Sequence, residues 1–404
     1  ERPTDAIVRL TVSAICGTDL HFVRGTMPSM IPGTILGHEG VGVVEEVGKD
    51  VRNLLPGDRV VIPSTIGCGA CSYCRAGYYA QCDVANPNGP QAGTAFFGGP
   101  KDSGPFNGMQ AEAVCVPFAN VGPVKLPDEV SDDQAILLSD IFPTGYFGAD
   151  LADIKPGHTV AVFGCGPVGQ FAITAAFMMG AGRVFAVDTV PGRLAMAAAQ
   201  GAEIVDFNKE DPVQALRDMT NGVGPDRVID AVGVDAVRPQ SGPAAAQARK
   251  DAAAFEEELE RVAPERKPHD VQWTPGDAPS QALRWATQAV AKGGTVAIIG
   301  VYPLTHSAFP IGAAMNRNLT LRMGNCNHRK YLWKAVSWVK NGTLSPERIL
   351  TELEPIAGAI EAYEAFDTRQ PGWIKVALDP TKQRDGREVA TAATPNGPSR
   401  VHTH

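Results

Sequence analysis

The chain has 404 residues, which is more than one ordinary hydrophobic core organises, so we expect at least two domains. Its 44 acidic and 36 basic side chains give a net charge of -8 with no dense basic run, which argues against nucleic acid or an anionic membrane as a partner. No apolar run reaches the roughly 18 residues of a membrane-spanning helix, and the first residues form no signal peptide, which predicts a cytoplasmic protein.

The N-terminal part predicts strands rich in glycine and β-branched residues. Apolar and polar side chains mostly alternate over residues 6–14, and this strand runs directly into Cys16. Further strand-like stretches lie at residues 43–47 and 58–63. Because glycine in such stretches marks bends, we expect a compact, strongly bent β structure.

Four cysteines crowd together in a loop, as Cys68-x-x-Cys71-x-x-Cys74 followed by Cys82. Four thiolates this close in sequence complete a tetrahedral shell without an open position, which is typical of structural zinc. In a large, apparently cytosolic chain, metal binding is favoured over disulfides. Two disulfides or an iron–sulfur cluster are the alternatives, although the fourth spacing and the lack of a following proline argue against a cluster.

The middle of the chain changes from loops to helix. Residues 97–127 are rich in glycine and proline, which predicts irregular β structure and loops. Ser131 then has the form of a helix N-cap, and the helix that it begins leads to Asp140.

The apolar residues 160–163 predict a strand buried on both faces, and the motif Gly164-x-Gly166-x-x-Gly169 follows where that strand should turn into a helix over 167–180. These glycines permit a tight turn, close approach of a pyrophosphate and close helix packing. The phosphates would bind the free N–H groups at the start of the helix. The next strand ends in Asp188, whose carboxylate can bind both ribose hydroxyls and would repel a 2′-phosphate, so we predict NAD rather than NADP. The alternative is a glycine-rich turn in an ordinary α/β sheet.

Helices and strands continue to alternate after Asp188, which predicts a doubly wound parallel sheet. The predicted helices are 191–201, 212–220 and 280–291, and the predicted strands are 203–207, 226–232 and 294–301. Residues 234–279 interrupt this alternation with a segment rich in Ala, Pro, Gln and charge that contains one helix-like piece at 252–262. This insertion is either a mobile surface segment or a loop that folds over the cofactor.

The last part of the chain follows a nucleotide unit that is already complete, so we expect it to rejoin the first domain. Its predicted elements are a strand at 319–323, helices at 331–341 and 357–366, and a strand at 373–378. Residues 381–404 show no apolar pattern, which predicts a disordered tail.

Once the cysteine quartet is set aside, three types of metal ligand offer a second candidate group: Cys16 and His38 in the first domain, and Asp140 just before the nucleotide unit. A catalytic zinc typically has three protein ligands and an open fourth position, and Cys, His and Asp would supply a soft, a borderline and a hard ligand for it. A buried thiol, a core histidine and a helix-capping aspartate are the ordinary alternative, since the sequence alone does not show that the three meet. Cys326 and His328 could suggest another metal, but a free buried cysteine is common.

The string Gly37-His38-Glu39-x-x-Gly42, with Gly48 and Val51 after it, resembles the zinc signature of the medium-chain zinc-dependent alcohol dehydrogenases. The cysteine quartet, the 57–60 turn and the 164–169 loop follow in the family's order, and the match extends from about residue 5 to about residue 380. Residues 139–146 and the long insertion are similar to the glutathione-independent formaldehyde dehydrogenase branch, in which the third catalytic ligand is Asp. Family members carry residues before the first strand, so we expect Glu1 not to be the native start.

The resemblance implies a catalytic zinc on Cys16, His38 and Asp140, with Glu39 close behind it, and a structural zinc on the cysteine quartet. It also implies that Asp19 accepts the other ring N–H of His38, which fixes the tautomer. Thr18 and His21 look like the family's proton relay; a turn hydroxyl bonded to the backbone and a solvated imidazole are their ordinary alternatives. The expected cofactor-binding residues are Gly164, Gly166, Pro167, Val168, Gly169, Asp188, Arg193 and Val232.

The predicted fold class is therefore α/β, with a bent, β-rich catalytic domain and a doubly wound Rossmann domain for the cofactor. We expect the domains to be 1–142 (catalytic, first part), 143–302 (Rossmann, with the insertion 234–279) and 303–380 (catalytic, return segment), before the tail 381–404.

The expected protein is an NAD-dependent zinc alcohol or aldehyde dehydrogenase with two zinc ions per chain. Its substrate is a small-molecule alcohol, or an aldehyde that enters as its hydrate and leaves as an acid. We expect a homo-oligomer, a dimer or tetramer, that associates through the edge of the nucleotide sheet. One alternative is an aldehyde dismutase that keeps its NAD bound, and another is a non-catalytic nucleotide-binding redox sensor.

Overall fold

Two sheets organise the chain, within the residues 2–89, 91–264 and 275–382 that the computed structural model describes. The predicted tail from residue 383 onward and residues 265–274 of the insertion lie outside these residues. The strands are β1 (Ala6–Ile15), β2 (Gly40–Val47), β3 (Arg59–Ile62), β4 (Ala113–Val116), β5 (Val124–Lys125), β6 (Thr159–Phe163), β7 (Arg183–Asp188), β8 (Glu203–Asp206), β9 (Arg227–Asp230), β10 (Thr295–Ile298), β11 (Thr320–Met323), β12 (Glu352–Pro355) and β13 (Val376–Asp379).

The helices of the described residues connect and cover these strands. They are α1 (Gly17–Val23), α2 (Ser72–Arg75), α3 (Asp132–Ser139), α4 (Ile141–Leu151), α5 (Pro167–Met178), α6 (Pro191–Ala199), α7 (Pro212–Met219), α8 (Ala244–Lys250), α9 (Ala252–Val262), α10 (Gln281–Ala289), α11 (Ile311–Asn316), α12 (His328–Lys340) and α13 (Ala359–Asp367). None of the described helices is both long and apolar enough to cross a bilayer.

The first sheet has the order β12-β13-β1-β2-β3-β5, and β4 also pairs with β1. The pairing of β1 with β2 is antiparallel and shifts register twice, between Ile7 and Val8 and between Leu10 and Val12. Such irregularities bend a strand and increase its twist. The bend agrees with the expected strongly bent β structure, and β1 ends immediately before Cys16.

The second sheet has the order β11-β10-β9-β6-β7-β8, and each neighbouring pair is parallel. Residues 160–163 of β6 are buried on both faces, because helices pack on either side of the sheet. The predicted α/β fold class, a β-rich domain with a doubly wound cofactor domain, is therefore confirmed.

The strand β11 was wrongly expected in the first domain. It pairs in parallel with β10, from Thr295 opposite Thr320 to Ile298 opposite Met323, and so it forms an edge of the nucleotide sheet. Without β11 the backbone of β10 would itself be an open edge with unpaired N–H and C=O groups. In contrast, β12 and β13 pair within the first sheet, as expected of the return segment.

The described part of the insertion contains two α-helices instead of the single predicted one. The predicted piece is α9, and the additional helix α8 buries Ala244, Ala245 and Ala248. Alanine has little apolar surface, so the pattern of α8 is hard to recognise in the sequence. The described part of the insertion is packed: Leu259 and Val262 of α9 are buried in one cluster with Val234, against the partly buried Tyr302.

Candidate active site

A cleft of about 690 Å³ opens where the carboxyl ends of the parallel strands face the first domain. This is where ligands bind in open α/β sheets. Its walls include Thr18 and His21, the trio Cys16, His38 and Asp140, and seven of the expected cofactor residues. Those seven are Gly164, Gly166, Pro167, Val168, Asp188, Arg193 and Val232.

The structure brings the expected metal-binding trio together although the three residues are far apart in sequence. Cys16 follows β1, His38 precedes β2, and Asp140 lies between α3 and α4. Oδ2 of Asp140 is 3.6 Å from Sγ of Cys16 and 3.4 Å from Nε2 of His38. With Glu39, the trio forms a buried group whose ligand atoms all lie within 4.8 Å of one another.

These separations fit one zinc ion. With Zn–S near 2.3 Å and Zn–N or Zn–O near 2.0 Å, tetrahedral ligands lie about 3.5 Å apart for S and O and about 3.3 Å apart for N and O. The observed distances of 3.6 and 3.4 Å agree with these values. In addition, Oε2 of the buried Glu39 has no hydrogen-bond partner within the part of the chain that the structure describes. The donor set therefore suits a catalytic zinc.

Asp19 contacts both Cys16 and His38. Its fully buried carboxylate accepts a hydrogen bond from the backbone N–H of Cys16 at 2.9 Å, and its other oxygen lies 3.2 Å from Nδ1 of His38. Burial disfavours a charged imidazole, but the nearby Asp19 and Cys16 raise the pKa of His38 well above its usual value. The ring thus directs Nδ1 to Asp19 and Nε2 to Asp140.

Glu39 forms a fully buried ion pair with Lys375, a residue that the sequence analysis missed. Nζ of Lys375 donates to Oε1 of Glu39 at 2.5 Å and to the carbonyl of Ile15 at 2.9 Å. Burial raises the pKa of Glu39 to about 7, although Lys375 acts to lower it. The available signal was a single lysine in the otherwise apolar predicted strand 373–378.

The second carboxylate oxygen of Asp140 faces His328, which the sequence suggests only as part of a further metal site. Oδ1 lies 2.6 Å from Nε2 of His328, 3.1 Å from the hydroxyl of Thr144 and 3.2 Å from the hydroxyl of Ser64. Burial would raise the pKa of Asp140, but hydrogen bonds from His328 and His38 hold it well below its usual value. Asp140 is therefore a carboxylate whose Oδ2 faces Cys16 and His38 and whose Oδ1 faces His328.

The expected relay residues Thr18 and His21 lie on α1. His21 is 3% exposed, which excludes the solvated imidazole considered above. Its Nδ1 is 2.9 Å from the hydroxyl of Thr26, and its Nε2 is 3.7 Å from Asp235. Burial lowers the pKa of His21. The charge of Arg24 also lowers this pKa, whereas the charge of Asp235 raises it.

The glycine motif has the local geometry that its spacing predicts. Gly164 has a φ of +84°, and a Cβ on Gly169 would lie 1.8 Å from the carbonyl oxygen of Gly164. A Cβ on Gly166 would meet only the guanidinium of Arg193, at 3.9 Å, so the protein leaves this space open. Open space above the second glycine suits a pyrophosphate.

Asp188 ends β7 and organises the loop beside it. One carboxylate oxygen accepts from the N–H of Cys165 at 2.7 Å, and the other accepts from the N–H groups of Thr189 and Val190. Arg193 lies 3.9 Å from the first oxygen. The carboxylate is therefore held at the edge of the cleft, where the ribose is expected.

The cysteine quartet forms a second group of candidate metal ligands. Sγ of Cys71 and Sγ of Cys82 are 3.9 Å apart, and backbone N–H groups point at the sulfurs, for example Cys68 at Cys82 (3.3 Å) and Cys71 at Cys68 (3.4 Å). Although burial opposes ionisation, hydrogen bonds from the backbone N–H groups of Cys74 and Asp83 and from the side chains of Cys74 and Cys82 lower the pKa of Cys71 to about 7. Cys68, Cys71, Cys74 and Cys82 form no disulfide, which contradicts the alternative of two disulfides.

Comparison with known protein families gives two matches. The alcohol dehydrogenase GroES-like domain matches residues 2–128, which contain Cys16, His38 and the cysteine quartet. The zinc-binding dehydrogenase family matches residues 167–248, which contain Asp188 and Val232.

Two relatives cover different shares of the chain. An uncharacterized zinc-type alcohol dehydrogenase-like protein of Bacillus subtilis is 38% identical over 384 residues, 94% of this chain and 94% of that protein. A glutathione-independent formaldehyde dehydrogenase of Pseudomonas aeruginosa is 40% identical over 237 residues, 57% of this chain and 58% of that protein.

Solved structures share the whole architecture. An alcohol dehydrogenase from Thermus sp. ATN1 superposes with a TM-score of 0.74 and 35% identity, over 94% of this chain and 93% of that one. An NAD-dependent alcohol dehydrogenase superposes with a TM-score of 0.70 and 25% identity, over 93% of this chain and 92% of that one.

Proposed function

The chain belongs to the medium-chain zinc-dependent alcohol dehydrogenases and is a zinc-dependent oxidoreductase, and we propose that it transfers a hydride between an alcohol, or an aldehyde hydrate, and NAD. The observation that carries the proposal is the convergence of Cys16, His38 and Asp140 in the cleft that the glycine loop lines. A substrate bound there would lie between a Lewis acid and a hydride acceptor.

Zinc held by Cys16, His38 and Asp140 would polarise a hydroxyl oxygen of the substrate, which favours loss of its proton near neutral pH. NAD would supply the hydride acceptor, and the protein the alignment. The chain's own residues must then position the metal ligands and accept the proton.

His21 is prepared to accept that proton. The hydroxyl of Thr26 donates to the carbonyl of His21 at 3.1 Å, so it is free to accept from Nδ1–H of the same residue at 2.9 Å. With its lowered pKa, His21 is neutral at neutral pH and presents an unprotonated Nε2. We propose that the substrate proton leaves by way of Thr18, which lines the same cleft, toward His21, and that Asp235, 3.7 Å from Nε2, stabilises the imidazolium.

Glu39 and Lys375 would support the metal site without being among its three proposed ligands. Glu39 belongs to the ligand group, and its Oε2 has no partner among the described residues, so this oxygen could approach the metal while Lys375 holds Oε1. Asp19 orients His38, and this contact keeps Nε2 as the ligand atom.

We further propose a second, structural zinc on Cys68, Cys71, Cys74 and Cys82. Four sulfur ligands close a tetrahedral shell, so this site would stabilise its loop without binding substrate. The N–H groups that point at the sulfurs support thiolates there.

A dimer or tetramer is proposed through the edge of the nucleotide sheet. β11 is an edge strand, and the apolar side chains Met323, Ile311 and Met315 on and before it are 60%, 66% and 79% exposed. Apolar side chains clustered at an open strand edge are typical of interfaces. Light scattering at several protein concentrations tests this assembly.

The dismutase is the second candidate, supported by the packing of the insertion. The short helix Gly233–Asp235 directly follows Val232, and α9 packs its Leu259 and Val262 against the neighbourhood of Tyr302 at the rim of the cleft. A packed cover beside the cofactor cleft would slow the exchange of NAD.

The test is a substrate panel of short, aromatic and polyol alcohols and of formaldehyde, each with and without added NAD. NADH formation that requires added NAD supports the dehydrogenase. Equal amounts of alcohol and acid from an aldehyde without added NAD support the dismutase, and no turnover of any member with zinc-loaded protein contradicts both.

A further inference from the structure

We propose that His328 is a positioning residue that keeps Asp140 a one-oxygen ligand, so that the catalytic metal retains an open position. The inference rests on the proposed function only in taking Asp140 as a metal ligand. It assigns a role to a histidine that lies 188 positions from that aspartate in the chain.

The hydrogen bonds of Asp140 divide cleanly between its two oxygens. Oδ2 faces Cys16 and His38, at 3.6 and 3.4 Å, and Oδ1 faces His328, with Ser64 and Thr144 beside it. The contact from Nε2 of His328 is the shortest of the three, at 2.6 Å.

His328 cannot easily turn away from Asp140, because its ring is held on both sides. Nδ1 lies 3.1 Å from the hydroxyl of Thr65, Nε2 lies 3.1 Å from that of Ser64, and the side chain is 4% exposed. Two hydroxyls can adjust their protons to the ring, so Nε2 can donate to the carboxylate.

The backbone of His328 is anchored as well. His328 is the first residue of α12, and the preceding Asn327 accepts a hydrogen bond from the N–H of Ala80 at 3.0 Å, within the segment that carries the cysteine quartet. The start of α12, and His328 with it, is therefore held against the cysteine loop.

This arrangement has a specific consequence for coordination. A carboxylate with both oxygens free can bind a metal through both and occupy the position that a catalytic zinc keeps open. Three donors on Oδ1 make that rotation unfavourable, because it would break buried hydrogen bonds. His328 itself is not among the described residues whose ligand atoms cluster within 4.8 Å, so it acts through Asp140.

The test compares His328→Leu, which removes the donors, with His328→Gln, which keeps an amide donor, in full-length protein. Tyr331→Phe is the matched control: it is on the same helix, is also buried, and loses a hydrogen bond to a different carboxylate. The readouts are the visible spectrum of the cobalt-substituted protein and the rate at which a chelator removes zinc from the site that Cys16→Ser destroys.

We expect His328→Leu to lose zinc about 10- to 100-fold faster and to shift the cobalt spectrum toward higher coordination, with partial rescue in His328→Gln. A spectrum and a release rate equal to those of Tyr331→Phe would overturn the inference. If His328→Leu does not fold, Thr144→Val removes one donor at constant size and should move both readouts in the same direction; no movement overturns the inference.

Failure of the proposed function gives a different result. In that case the wild-type protein has no zinc that depends on Cys16, and the comparison of spectra shows no site to perturb. A wild-type protein with this zinc and with hydride transfer, but with unchanged His328 variants, contradicts only the positioning role.

Discussion

Replacing Lys375 by methionine should destabilise the protein strongly, because Glu39 would lose the one charged hydrogen-bond partner that it has among the described residues. Both side chains are fully buried, and the contact between Nζ and Oε1 is 2.5 Å. At an effective dielectric constant of about 20, the attraction across that distance is about 7 kcal/mol, an upper bound before desolvation. Removing one partner of such a pair commonly costs about 3–5 kcal/mol, the value that we expect here.

The assay is urea unfolding of zinc-saturated protein, with Lys375→Met, Glu39→Gln and the double variant forming a cycle. The double variant buries no unpaired charge, so it should recover most of the loss caused by Lys375→Met. A loss below about 1 kcal/mol for Lys375→Met would refute the reasoning. So would a double variant whose cost equals the sum of the two single variants, since the pair would then not be coupled.

Four further predictions test the remaining groups. Cys16→Ser should abolish turnover while NAD still binds in calorimetry, and unchanged turnover would contradict the metal assignment. Cys71→Ser should lower the unfolding midpoint more than the turnover of folded protein, and active wild-type protein with fewer than two zinc ions per chain would contradict the second site. Asp188→Ala should weaken NAD far more than NADP; equal losses argue against the ribose contact. The pKa of His21 is lower in the folded protein than in the unfolded one. The stability of the wild-type protein should therefore fall as the pH drops through about 6.5, the pKa of an unfolded histidine, and His21→Gln should lack that loss. Equal slopes of stability against pH for both proteins would show that His21 does not titrate in this way.

The glycine loop could be predicted from the sequence because its constraints are local. Gly164 must adopt a positive φ, and Gly169 has no room for a side chain against the carbonyl of Gly164. Both requirements are met by neighbours within six positions, so the spacing alone carries the structure. The strand and helix on either side add the periodicity that confirms the element types.

The catalytic group is different, because its partners come from distant parts of the chain. Asp140 alone has the features of a residue between two helices; the sequence offers it as a candidate ligand, but only the family resemblance implied that it meets Cys16 and His38. Lys375 and His328 escaped prediction because their roles depend on contacts with Glu39 and Asp140 that no local pattern encodes. β11 was misassigned for a similar reason: four residues of a strand do not reveal which sheet edge they complete.

The helix α1 explains how the site can remain aligned across two domains. It begins after Cys16 and carries Asp19 and His21, so the thiol, the carboxylate that orients His38 and the proton acceptor move as one unit. Its C-cap residue, Arg24, forms ion pairs with Asp235 of the nucleotide domain and, at 2.6 Å, with Asp367 of the return segment. Because Arg24 is buried, these pairs resist separation more than surface pairs would. The helix α1 is therefore held at both ends, by Cys16 in the ligand group at one and by the ion pairs of Arg24 at the other.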